Sequence, residues 1–130
     1  MPDVFNAENP VDKFKNQHIN EEMDDDSGTE VIDDRAITDE NGNCKLTNTF
    51  IKAKFTSVKH VCGTGGQKYI NENKPDVNNL RESRAPFNIV VCRLTDATVS
   101  PCEYNGADYN RYIVVPCDVK GDPVLFEKSY

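Results

Sequence analysis

A chain of 130 residues with 37% apolar and 8% aromatic content has material for one domain with a modest core, so covalent support is expected. The net charge of −7 excludes a uniformly basic nucleic-acid coat, and no apolar run approaches the roughly 20 residues of a membrane span. No apolar h-region follows Met1, so any secretion signal is expected to have been removed already.

In chain order, residues 1–9 read as a loose arm. Asn9-Pro10 then supplies an N-cap with proline at the first helical position and Asp12 in the first turn. Val11, Phe14 and His18 recur at spacings of three and four and share one helix face. Residues 21–43 form an acidic segment, with a short helix predicted over Val31 to Ile37. Lys45 to Ile51 reads as a strand, and Thr56 to Cys62 as a helical turn ended by Gly63-Thr64-Gly65-Gly66. Residues 63–86 read as a polar, mobile loop. Phe87 to Leu94, Pro101 to Tyr104, Arg111 to Asp118 and Pro123 to Glu127 read as strands, separated by turn signals at Asn105-Gly106 and Lys120-Gly121-Asp122. Helices early and strands late predict an α+β domain with an antiparallel sheet.

Charge and cysteine are both unevenly placed. Glu21 to Glu40 holds ten acidic residues against Arg35 alone, a local balance of −9 that leaves +2 elsewhere. A chain built to grip phosphates should gather Lys and Arg near its site, and this segment does the opposite. Its plainest reading is a solvated loop or helix face. Cysteines at 44, 62, 92, 102 and 117, with no Cys-x-x-Cys pair, suit a secreted disulfide framework better than a zinc site. Five is odd, so one thiol lacks a partner within the chain. No cofactor or metal is implied.

The motifs Phe14-x-x-Gln17-His18, Cys44-Lys45-x-x-Asn48-Thr49-Phe50, Val58-Lys59-x-Val61-Cys62, Val91-Cys92-Arg93-Leu94, Cys102-x-Tyr104, Tyr112-Ile113-Val114-x-x-Cys117 and Pro123-Val124-x-Phe126 occur in that order. Together they resemble the pancreatic ribonuclease (RNase A) superfamily over residues 11–127. The Gly-Thr-Gly-Gly spacer after Cys62 is most similar to fish-type members. The resemblance implies an RNase A-like fold, with short N-terminal helices packed on a bent antiparallel sheet. It also implies bridges Cys44–Cys102 and Cys62–Cys117. Cys92 would need a partner near Glu30 or Val31, where there is none, which leaves a free, buried thiol and an acidic segment expected to move freely; an intermolecular disulfide is the sharper alternative for that thiol.

Family members cleave RNA on the 3′ side of pyrimidines by transphosphorylation through the ribose 2′-hydroxyl. Such chemistry needs a base for the 2′-OH, an acid for the leaving oxygen and a cation for the phosphorane. Motif by motif, the resemblance makes His18 the base, Lys45 the cation, Gln17 the phosphate-contacting amide and Thr49 the pyrimidine reader, with Asn48 and Phe126 beside the substrate. Leu125 stands where the family carries its acid, a second histidine. Leucine can neither donate a proton nor bind phosphate. Glu127 is two residues further along the same predicted strand, but a carboxylate ionised at neutral pH would repel phosphate. His60, the only other histidine, reads as a surface helix residue.

Plainer readings stand beside these. His18 shares a face with Phe14 and serves packing equally well, and Lys45 and the Asn48-Thr49-Phe50 block suit a half-buried strand. Two functions follow. One is a secreted, catalytically inactive or strongly impaired homologue acting by binding, with a basic protein or receptor, or weakly held RNA or nucleotide, as partner. The alternative is a weak pyrimidine-preferring endoribonuclease using His18 and Lys45.

Overall fold

Asn9 accepts the N–H of Asp12 at 2.8 Å and opens α1 (Pro10–His18), the first element of a computed structural model that describes residues 9–130. The arm read over 1–9 thus lies, but for its last residue, outside the described residues. Phe14 and His18 are buried on the inner face of α1 and Val11 lies at its edge, as the spacing predicts. The helix stops where Ile19 turns extended.

Downstream come α2 (Gly28–Asp34), β1 (Thr47–Ile51), α3 (Phe55–Lys59) with a tight turn at His60–Cys62, β2 (Gly66–Lys68), β3 (Leu80–Ser83), β4 (Phe87–Asp96), β5 (Glu103–Arg111), β6 (Ile113–Pro116) and β7 (Lys128–Ser129). Two antiparallel sheets result, β1-β4-β5 and β2-β3-β6-β7. The α+β class holds. Among the described residues no helix is long and apolar enough to cross a membrane.

Asn48 to Ile51 of β1 and Ile89 to Cys92 of β4 are buried on both faces of the sheet, so successive residues feed two different cores. Ile51, Ile89 and Val91 point into a core shared with Phe14, Val58, Val61, Ile113 and Val115. Phe50, Val90 and Cys92 point the other way, into a second core with Met23, Ile32 and Ile37. That second core corrects the expectation of a freely moving acidic segment. The segment's Met23, Ile32 and Ile37 are buried to 5% exposure or less, while all its carboxylates but the partly buried Asp39 are exposed.

Other expectations shift for local reasons. The second helix begins three residues earlier than predicted and ends at Asp34, because Ala36 adopts φ 53° and Ile37 N–H bonds back to Ile32 O, a left-handed stop. Asn105-Gly106 is no turn but the middle of β5, paired with Arg93 and Cys92. Glycine is needed there because the backbone of Asp25 would lie 2.3 Å from any Cβ. The loop read over 63–86 contains β2 and β3, held by Arg81, which donates to the carbonyls of Gly63 and Gly66. Pro123 to Glu127 is not a strand; only β7 pairs with β6, after a single bridge between Cys117 and Pro123.

Disulfides join Cys44 to Cys102 and Cys62 to Cys117. Cys92 is unpaired and fully buried, and burial pushes its thiol up to about 11. The position that faces it is Gly28, not Glu30 or Val31: a Cβ built on Gly28 would lie 2.9 Å from Cys92 Sγ and 3.5 Å from its Cβ.

Candidate active site

α1 and β1 deliver their polar residues to one groove of about 460 Å³, closed on its far side by the segment Leu125 to Ser129. Gln17, His18, Lys45, Asn48, Thr49, Leu125 and Phe126, brought together from sequence, all line it. His60 lies elsewhere, exposed on the turn after α3.

His18 sits at the last turn of α1 with its ring between Phe14 and Phe126, centroids 5.3 and 5.4 Å away. Its Nδ1 lies 2.8 Å from the carbonyl oxygen of Thr49, and a carbonyl only accepts, so Nδ1 carries the proton and Nε2 keeps its lone pair. Burial lowers the imidazole from 6.5 to about 4; the Thr49 hydrogen bond opposes that shift, and Lys45 and Lys13 add to it. At neutral pH His18 is therefore an uncharged proton acceptor.

Lys45 donates to Asn48 Oδ1 at 2.8 Å and to Gln17 Oε1 at 3.4 Å, while Asn48 Nδ2 donates to the Gln17 carbonyl at 2.8 Å. Desolvation, then Lys13, lowers the Lys45 ammonium from its ordinary value. Its backbone is held on both sides, by the Cys44–Cys102 bridge and by Tyr104, whose hydroxyl donates to the Lys45 carbonyl at 2.7 Å. Tyr104 belongs to this site's support, a role its Cys102-x-Tyr104 context did not show.

The opposite wall differs. Leu125 is 58% exposed, and no described histidine other than His18 lines the groove. Glu127 lines it too, but its carboxylate is 3.6 Å from Lys74 Nζ and within 3.4 Å of Asn71 Nδ2, so it is already engaged by the 69–79 loop. Sequence reasoning missed the cations: Arg93, Arg111 and Lys128 join Lys45 around the groove against Glu127 alone. Basic residues are gathered here despite the net charge of −7, and the acidic segment had concealed them. The slight positive balance outside that segment was the only signal.

Chemically, the groove offers one neutral base, one half-buried ammonium, amide groups from Gln17 and Asn48, and a cationic rim. That set suits a phosphodiester, and among the described residues it includes no second histidine opposite His18.

The profile of the pancreatic ribonuclease family matches residues 9–127. The zebrafish RNase5 crystal structure is similar over 98% of each chain, with TM-score 0.79 and 36% identity. A green turtle (Chelonia mydas) ribonuclease is 38% identical over 87 residues, 66% of each chain, and a mouse angiogenin is 34% identical over 88 residues, 67% of this chain and 55% of its own. The matched stretch thus spans less than two thirds of those curated relatives. With a family match across nearly all of its residues and this fold, the chain belongs to the pancreatic ribonuclease family.

Proposed function

We propose that this chain is a secreted ribonuclease-fold protein whose RNA transphosphorylation is lost or strongly impaired, and that it acts by binding. The observation that carries this reading is Leu125, exposed at the wall of the groove where the family's acid is expected. In the assigned roles, His18 Nε2 takes the proton of the ribose 2′-OH and that oxygen attacks phosphorus. Lys45, with the Gln17 amide, stabilises the charged phosphorane. Thr49 and Phe126 hold the pyrimidine. The departing 5′ oxygen then finds no donor and leaves as an alkoxide or takes its proton from water, which slows the step by about two to four orders of magnitude.

Binding survives this loss better than turnover, because four cations and the polar side chains of Gln17, Asn48 and Thr49 remain around the groove. RNA or a nucleotide is the partner this surface suits, held weakly. The solvent-facing carboxylates of residues 21–40 suit a basic protein or receptor as a further partner. The second reading, a slow pyrimidine-preferring endoribonuclease, is favoured by the His18–Thr49 hydrogen bond, which leaves the imidazole set as a base.

Cleavage of a pyrimidine-containing fluorogenic oligoribonucleotide at low salt separates the two. The expected result is silence from the wild type and a gain of about 100-fold or more over background in Leu125→His. Turnover by the wild type that disappears in His18→Ala would establish the second reading instead.

A further inference from the structure

We infer that Arg35 is a positioning residue for His18, clamping the end of α1 that carries the imidazole into the groove. Arg35 is the lone cation of the acidic segment, and ten carboxylates surround it in sequence. Its guanidinium nonetheless enters no ion pair among the described residues. Nη1 donates instead to two backbone carbonyls, Asn16 O and Ile19 O, each at 2.8 Å. These bracket Gln17 and His18.

The last carbonyls of a helix have no partner within it and carry partial negative charge, so a cation placed on them stabilises that terminus directly. Here the accounting is specific. Arg35 takes the carbonyls of Asn16 and Ile19, Asn48 takes that of Gln17, and Asn16 Nδ2 returns a hydrogen bond to Arg35 O at 3.0 Å. The guanidinium also lies 5.8 Å from the Phe50 ring, on the residue next to Thr49, whose carbonyl orients His18. Removing the clamp frees the helix end to fray, and the imidazole then rotates away from Thr49 and out of its place between Phe14 and Phe126.

The role predicts that Arg35 sets how dry His18 is. Lys13 on α1, Lys45 before β1, Arg93 on β4, Arg111 on β5 and Glu127 and Lys128 on the C-terminal segment are the charged groups around the imidazole, and none of them changes in an Arg35 variant. Hydration raises the His18 midpoint and loss of the Thr49 bond lowers it, and burial is the larger of the two, so a net rise reports hydration; Arg35→Lys, which keeps the positive charge, separates that rise from the loss of a cation.

The test is the His18 imidazole titration followed by NMR in the ligand-free protein, for wild type, Arg35→Gln, Arg35→Lys and Ser83→Ala. Ser83→Ala serves as the purely structural control, since Ser83 Oγ accepts the Ile113 N–H in the core. Arg35→Gln is expected to raise the midpoint from about 4 by about one pH unit or more toward 6.5. Arg35→Lys, which keeps the charge but not the planar fork, should move it partway, and Ser83→Ala should leave it at the wild-type value. Should Arg35→Gln fail to fold, Arg35→Lys decides.

Midpoints unchanged in the Arg35 variants, or moved equally by Ser83→Ala, would overturn the assignment. Cytidine 3′-phosphate titrations on the same samples carry the functional arm, expected to show about tenfold weaker binding in Arg35→Gln. That arm rests on the nucleotide-binding reading above. A wild type that binds no nucleotide would sink that reading alone, while the ligand-free titration still decides Arg35.

Discussion

The two walls of the groove are built on different principles. On the α1–β1 wall every functional side chain also holds the fold: His18 fills space between two phenylalanines and bonds Thr49, Asn48 closes the end of α1, and Lys45 is tied to Gln17 and Asn48. On the facing wall Leu125 is 58% exposed at the lip of the groove. A side chain that stability requires persists whether or not catalysis is selected, whereas an exposed one changes with little penalty. Retention of His18 thus says less about present activity than Leu125 does.

The comparison breaks if His18 proves dispensable. His18→Ala is expected to destabilise by about 3 kcal/mol, through a cavity between Phe14 and Phe126 and an orphaned Thr49 carbonyl. Leu125→Ala should stay within about 0.5 kcal/mol of the wild type. Urea unfolding at neutral pH measures both, and equal effects would erase the distinction between the walls.

Acid gives an independent handle on the same wall. The folded His18 titrates at about 4 against about 6.5 unfolded, so between those values the unfolded chain binds the extra proton and stability rises with pH. The contribution is fully present above pH ~6.5 and lost progressively as pH falls to ~4, a total of roughly 3 kcal/mol. His18→Ala should flatten that slope across this window, as read from unfolding curves at successive pH values. A slope that persists in the variant would assign the proton to another group.

Much of the α1–β1 wall was legible because its chemistry and its packing share a pattern: Asn9-Pro10 marks the helix start, the Val11-Phe14-His18 spacing marks its inner face, and Cys44-Lys45 precedes a strand in which polar Asn48-Thr49 leads into apolar Phe50-Ile51. What stayed hidden depends on contacts between segments distant in sequence. Asn105-Gly106 carries a strong turn signal, and only the backbone of Asp25 crossing Gly106 turns it into strand interior. β2 and β3 are short and polar, and Arg81 on the carbonyls of the glycine run secures them. The cationic rim was invisible for the same reason, since Arg93, Arg111 and Lys128 meet only through β4, β5 and the C-terminal segment.

The acidic segment carries Arg35 and so belongs to the firm wall, which suggests stiffening it from behind. A Cβ on Gly28 would lie 3.5 Å from that of Cys92, within the range of a disulfide. Gly28→Cys is expected to form that bridge, after a small outward shift to relieve the 2.9 Å contact, and to raise stability by about 2 kcal/mol. Loss of the free thiol in a mass-shift assay and a higher Tm are the readouts. A persistent free thiol would mean that Gly28 cannot move back far enough, and the second core would then be more tightly packed than its geometry implies.

The smallest expected effect tests the turn that aims Arg35. Ala36 adopts φ 53°, a left-handed conformation that places strain on any residue with a Cβ, between Arg35 and the buried Ile37. Glycine removes that strain but adds freedom to the unfolded chain, so Ala36→Gly is expected to stabilise by about 0.5 kcal/mol or less. Because the change leaves the Ile37-to-Ile32 hydrogen bond in place, the His18 titration should not move. A lower midpoint would show that the strained turn had been holding the clamp slightly off its best geometry, and a higher one that backbone stiffness at Ala36, as well as the guanidinium, keeps His18 in its dry position.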